Sequence, residues 1–208
     1  MCFYISVNST KKKIESIFDA HFELENKFIP NKDFNGFINP KIPVITNDKP
    51  NKIQMFNWGL IPHWIKSLEK ANDIRNKTLN ARSETLENKP SFKSLIGKKH
   101  CIVIIDGFYE WRHEGKNKMK HHIYTNSKKL FAFAGIWDSW KNEESGEIIN
   151  SFSIITQKAC GVMEYIHNSN LRQPVILDDI NRVTWNQLKN HQEIIYNSAK
   201  VNLEYSLV

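Results

Sequence analysis

The sequence predicts an α+β protein of a single domain, built on twisted antiparallel sheet, and three observations carry that reading. Short runs rich in β-branched and aromatic residues recur along the chain, each bounded by Pro, Gly, Asn or Asp. Helical periodicity is confined to two stretches. No regular alternation of strand and helix signals points to a parallel βαβ sheet. With 208 residues, 40% of them hydrophobic, the chain can bury one sizeable core. No Pro/Gly/Ser-rich linker or abrupt shift in composition divides it, so residues 1–208 form one domain.

The elements follow in order. Ile14, Ile17, Phe18 and Phe22 recur at helical spacing after Ser9 and Thr10, which predicts an amphipathic helix of about three turns starting near residue 10. Strand-like runs then fall at 42–46, 53–58, 101–106, 121–125, 130–137 and 151–156. Val183, Leu188, Ile194 and Ile195 among polar neighbours predict a late helix over 181–199.

Composition narrows the function classes. The longest apolar runs fall well short of the roughly 20 residues that cross a bilayer, and the N-terminus lacks the basic and apolar regions of a signal peptide. A cytoplasmic protein without a membrane partner is expected. Lys and Arg number 29 against 22 Asp and Glu, a net charge of +7, which leans toward a polyanionic partner. The lysines are scattered, however, and a Lys- and Asn-rich composition alone accounts for the charge equally well. Cys2, Cys101 and Cys160 form no CxxC pair, so neither a disulfide framework nor a zinc ribbon is expected, nor any other metal or cofactor. Cys101 opens an apolar run and reads as a buried, inert thiol.

Cys2 differs. Residue 2 is small enough for removal of Met1, and the mature chain would then begin with an aminothiol. Its α-amine, with a reference pKa of about 7.7–8.0, lies beside a thiol of about 8.5, so both can be partly nucleophilic near neutrality. An amine adds to an aldehyde to give an imine, and a thiol on the adjacent carbon can close onto it as a five-membered thiazolidine. An unremarkable chain start is the competing reading.

Three further segments can carry chemistry. In Trp58-Gly59-Leu60-Ile61-Pro62-His63-Trp64, Trp58 reads as core, whereas Trp64 can stack on an unpaired base. In Asn80-Ala81-Arg82-Ser83-Glu84-Thr85, Arg82 can grip a phosphate. In Asp106-Gly107-Phe108-Tyr109-Glu110-Trp111, read as a strand end, Glu110 lies between two large aromatics; desolvation there raises a carboxylate's pKa toward neutrality and suits it to proton transfer, against the ordinary reading of a solvated strand-face Glu. His167 precedes Arg172 and the apolar run Val175-Ile176-Leu177.

Together with Phe131-Ala132-Phe133-Ala134-Gly135-Ile136-Trp137 and Arg172-Gln173-Pro174-Val175-Ile176-Leu177, these segments closely resemble the SOS-response-associated peptidase family, over nearly the whole chain. The resemblance implies a barrel-like sheet core flanked by a few helices. It also implies a monomer that captures abasic sites in single-stranded DNA, and an autoproteolytic removal of Met1. Residue by residue, it assigns catalytic roles to Cys2, Asn80 and Glu110, with His167 in the place of the family's His, and a phosphate contact to Arg82; Trp64 and Arg172 are further DNA contacts expected beside it.

Two departures stand out. Phe3 and Tyr4 replace the family's usual Gly-Arg, whose Arg contacts DNA. Asn170 occupies the register of the family's His relative to Arg172, and Gln173 replaces Met, so His167 takes that role only if a longer loop delivers its ring to the same place. Two readings from other classes stay open. One is an N-terminal-cysteine glutamine amidohydrolase, which would release ammonia; the other is a non-covalent single-strand binder in which Cys2 is incidental.

Overall fold

The structure is a computed structural model that describes residues 2–23, 27–125, 130–198 and 201–208. Met1 and residue 199 of the expected late helix therefore lie outside the described residues.

Two sheets make the molecule. The first is antiparallel throughout, in the order β14 (Leu203–Leu207), β9 (Asn117–Thr125), β8 (Gly107–Glu114), β1 (Tyr4–Val7) and β3 (Asn31–Asn35). The second runs β11 (Ile148–Lys158), β10 (Phe131–Lys141), β7 (His100–Ile105), β4 (Lys41–Thr46) and β5 (Lys52–Trp58). It closes on itself because Ser151 and Phe152 of β11 pair in parallel with Asn57 and Trp58 of β5. The result is a five-strand barrel, whose closure removes the edges that an open sheet would expose. Four short strands extend it: β12 (Arg172–Pro174) and β13 (Ile176–Leu177) antiparallel, β2 (His21–Phe22) and β6 (Asn80–Arg82) parallel.

The six strand runs read from the sequence all form strands, and the α+β barrel-like expectation holds. The correction is to strand direction: barrel closure and both flanking strands β2 and β6 use parallel pairing. Glu110 also lies in the middle of β8, not at a strand end. Side chains on alternate sides of β8 serve both layers. Phe108 points into the core, where its ring meets Phe133 of the barrel edge-on at 5.3 Å.

Five helices are found among the described residues. The first, α1 (Lys11–Phe18), starts at Thr10, whose hydroxyl caps Lys13 N–H, but ends after two turns. Asp19 adopts a left-handed conformation (φ 49°) that a short polar side chain tolerates, and Phe22 joins β2 instead. The late helical stretch is two helices, α4 (Asp179–Asn186) and α5 (His191–Asn197), separated where Leu188 and Asn190 turn left-handed (φ 61° and 50°). The others, α2 (Leu68–Arg75) and α3 (Val162–Ile166), are short. None of the helices among the described residues is long and apolar enough to cross a membrane.

Glycine is required at one turn near the exposed Trp64. Gly59 has φ 112°, and a Cβ there would lie 2.6 Å from the Arg75 carbonyl oxygen. It turns the chain out of β5 into a loop pinned at several points. Ile61 N–H donates to Ser151 Oγ (2.8 Å), His63 N–H to Asp138 Oδ2 (2.8 Å), and Trp140 Nε1–H to the Ile65 carbonyl (2.7 Å). Asp138 is itself buried and held by Lys99 Nζ at 2.6 Å. Trp58 is core, as expected, and donates from its indole to the Leu79 carbonyl.

Candidate functional site

Four side chains from four parts of the chain converge where the five-stranded sheet meets the barrel. Cys2 sits just ahead of β1 with its side chain fully buried. Its carbonyl accepts a hydrogen bond from Asn80 Nδ2 at 2.8 Å. Asn80 reaches that position because β6 is laid in parallel on the barrel strand β11, with Asn80 beside Ile154. The other amide atom, Asn80 Oδ1, is buried with no hydrogen-bond partner among the described residues. An acceptor left in that state is costly unless something arrives to satisfy it.

Glu110 points inward from β8, on the same side as Phe108 and opposite Tyr109. Burial raises its carboxyl to a pKa of about 7. The Cys2 thiol is pushed well above its ordinary range by burial first and by the Glu110 carboxylate second, which places the two groups within electrostatic reach. The expectation of a partly ionised thiol is therefore corrected: the resting thiol is held protonated.

His167 completes the group. Its Nε2 lies 3.8 Å from Glu110 Oε2, and its Nδ1 lies 2.8 Å from the Arg172 carbonyl oxygen. A carbonyl can only accept, so Nδ1 carries the proton and Nε2 presents its lone pair toward Glu110 in the neutral ring. Burial lowers the imidazole's pKa, which opposes the direction at Glu110. A proton taken up by the pair near neutral pH is therefore favoured on the carboxyl over the imidazole.

The loop that delivers His167 is clasped to the Glu110 strand on both sides. Before it, Arg112 stacks on the Tyr165 ring at 3.8 Å and donates to the Tyr165 carbonyl. After it, Asn168 accepts from His113 N–H (3.0 Å) and donates back to the His113 carbonyl (2.9 Å). Asn170 is exposed and its amide donates to Ser169 Oγ. It is thus His167, and not Asn170, that the structure brings beside Glu110. Asn168 and Tyr165 were not singled out in the sequence, and only their nearness to His167 could have suggested them.

The candidate DNA contacts are placed differently from one another. Arg82 is exposed, two residues from Asn80 and so on the same side of β6, with no ion pair among the described residues. Arg172 is committed internally: its guanidinium binds both carboxylate oxygens of Glu84 and the carbonyl and hydroxyl of Thr156. That clamp fixes the Arg172 carbonyl on which the His167 tautomer depends. Trp64 is 44% exposed on the pinned loop, and no ring contact or hydrogen bond among the described residues joins it to the Cys2 group. No cluster of three or more His, Cys, Asp or Glu is placed to hold a metal among those residues.

The raised Glu110 pKa predicts a pH-dependent stability. The folded chain keeps this proton up to about pH 7, whereas the unfolded chain releases it near 4.5. The contribution is complete below pH 4.5 and is lost as pH rises through 7, by a few kcal/mol at most. Glu110→Gln should therefore gain stability relative to the unmodified protein between pH 4.5 and 8, read as denaturant midpoints. A difference that stays constant over that range would contradict the buried, raised carboxyl.

A family model described as SOS response associated peptidase (SRAP) matches residues 1–205. Among curated proteins, the chain is 38% identical over 183 residues to the abasic site processing protein YobE of Bacillus subtilis, covering 84% of this chain and 80% of the relative. It is 34% identical over 139 residues to the abasic site processing protein HMCES of Xenopus tropicalis, covering 58% of this chain and 40% of that relative. A crystal structure of a protein from Bacteroides thetaiotaomicron matches the whole chain with a TM-score of 0.92 and 34% identity, over 92% of its own length.

Proposed function

The chain belongs to the SOS response associated peptidase family, and from that premise we propose that it captures abasic sites in single-stranded DNA covalently through Cys2, after removal of Met1. The observation that carries this reading is the convergence of an aminothiol-bearing residue with an amide, a near-neutral carboxyl and a neutral imidazole in one desolvated place. The names of the relatives, abasic site processing proteins, indicate the substrate class.

An abasic deoxyribose is in equilibrium with a ring-opened aldehyde at C1′, the electrophile that an N-terminal aminothiol captures well. It also has no base to unstack, so reaching the sugar costs less than flipping an intact nucleotide. The Cys2 amine attacks C1′ to form a carbinolamine. Glu110, protonated up to about pH 7, gives its proton to the departing hydroxyl, which leaves as water, and takes back the nitrogen's proton as the resulting iminium becomes the imine. The Cys2 thiol then adds to the imine carbon: a C–S bond forms, the C=N pair moves to nitrogen, and the thiol proton passes to that nitrogen by way of Glu110 and His167. The net loss is one water. A protonated thiol suits this order, because it does not compete with the amine for the aldehyde. Asn80 holds the Cys2 backbone through Nδ2, and its free Oδ1 accepts from the incoming amine or a sugar hydroxyl. Arg82, on the same side of β6, grips an adjacent phosphate.

The test is intact-mass measurement after mixing the protein with an oligonucleotide that carries one abasic site. The expected product is a denaturation-resistant adduct equal to the protein without Met1 plus the oligonucleotide, less one water. Reactive protein that retains Met1, or ammonia released from glutamine with no adduct, would overturn the mechanism, and the second result would favour the amidohydrolase reading.

A further inference from the structure

A cleft separate from the Cys2 site opens on the described structure. It has a volume of about 810 Å³, lies on the opposite face of the five-stranded sheet, and is lined by none of Cys2, Asn80, Glu110 or His167. Its floor is a row of rings. Tyr109 and His122 stand directly opposite each other on β8 and β9, 4.8 Å apart, and His122 is 5.4 Å from Tyr124. The row lies low in the sheet because residue 107 is glycine: a Cβ there would come within 2.1 Å of His122 Nε2. Ser6 holds the ring's edge, with its oxygen 3.4 Å from that nitrogen.

The charges around this floor leave cations available. Asp106 is spent on internal bonds, accepting from Ser6 Oγ (2.6 Å) and Asn8 N–H (2.5 Å). Asp33 is paired with Lys120, whose ammonium sits 4.2 Å from the Tyr109 ring centre. Lys13 and Lys32 line the cleft, are exposed, and have no ion pair among the described residues. Flat rings below and free ammonium groups at the rim form the combination that binds an unpaired polynucleotide, since bases stack on the first and phosphates meet the second.

The row is also continuous with the Cys2 end of the sheet. Tyr4, two residues from Cys2, stands opposite Tyr109, and its ring meets Trp111 at 5.0 Å. Tyr4 and Trp111 thus extend the aromatic row on this face toward the chain end that carries Cys2.

We propose that this outer-face cleft is a second contact surface for single-stranded DNA, seating nucleotides that flank the captured site on His122 and Tyr124 and their phosphates on Lys13 and Lys32. The proposal rests on the single-strand substrate of the preceding section but not on the covalent chemistry there.

The experiment compares affinities for base-containing single strands of two lengths, one that fills only the Cys2 site and one several times longer. The double variant Lys13→Glu/Lys32→Glu should bind the longer strand about tenfold more weakly and with a shallower salt dependence, because two phosphate contacts are lost. Tyr124→Ala should weaken the longer strand by a similar factor through lost stacking. Both variants should bind the short strand, and unfold thermally, like the unmodified protein. Unchanged affinity for the longer strand, or an equal loss for both lengths, would overturn the proposal. Were the unmodified protein to form no adduct with abasic DNA while the length-dependent loss still appeared, capture would fall and this surface would stand. An adduct with no length-dependent loss would remove the surface alone.

Discussion

Cys2→Ala should abolish the denaturation-resistant product with abasic single-stranded DNA, lowering its yield by at least about 100-fold. The variant keeps an N-terminal amine, and Ala at position 2 still permits removal of Met1. An imine can therefore form, but no thiol is available to close the ring, and the imine returns to aldehyde and amine when water is restored. Reduction with borohydride during the reaction should trap that imine as a stable secondary amine, so the variant gives an adduct with reductant and none without. The fold should survive. The side chain is fully buried and small, its sulfur has one long contact at 3.8 Å to the Tyr4 carbonyl, and the lost volume is that of a single atom. A denaturing gel with and without reductant, run beside the unmodified protein, reads the result. If Cys2→Ala gives the same heat-stable product without reductant, the sulfur does not take part. If it gives none even with reductant, the amine does not add to the sugar either.

The parts of this architecture that sequence could reveal are those written in local pattern. The β-branched runs form strands because such side chains pack well on a pleated surface, and Thr10 caps α1 because a hydroxyl can satisfy an orphan amide. What escaped is non-local. The barrel closes through parallel pairing between β5 and β11, which lie far apart in the chain, and nothing within either strand announces that partner. The two-turn length of α1 depends on Asp19 turning left-handed, although Phe22 keeps the helical spacing. The same division holds at the site. Glu110 was legible because two bulky neighbours imply burial, and its raised pKa follows from that burial. The protonated thiol of Cys2 was not, because its burial comes from packing between the sheets. Nor was the double role of the Asn80–Thr85 segment. Asn80 and Arg82 face the site, while Glu84 binds Arg172 across the fold and so steadies the carbonyl that orients His167.

The irregular loop around His167 is where sequence register and structure diverge, and kinetics can decide between them. Under single-turnover conditions with abasic DNA, Glu110→Gln and His167→Ala should each slow adduct formation by about 100-fold or more, the scale of general acid-base catalysis, with little change in DNA affinity. Asn170→Ala should react like the unmodified protein, because Asn170 is exposed and bonds only locally. The pH profile separates the two proton carriers. Glu110 acts as the acid for loss of water, so the dehydration step should fall as pH rises through about 7, and Glu110→Gln should flatten that limb. His167, whose pKa burial lowers, stays neutral through the same range, so His167→Ala should depress the whole profile without moving that limb. An indirect test of the ring's orientation follows from the clamp: Glu84→Gln weakens the hold on Arg172 and should slow the reaction, whereas Glu84→Asp, which keeps the charge, should recover part of the rate. A rate loss confined to Asn170→Ala, with His167→Ala unaffected, would mean that the ring beside Glu110 is a packing element and that Glu110 moves the protons alone.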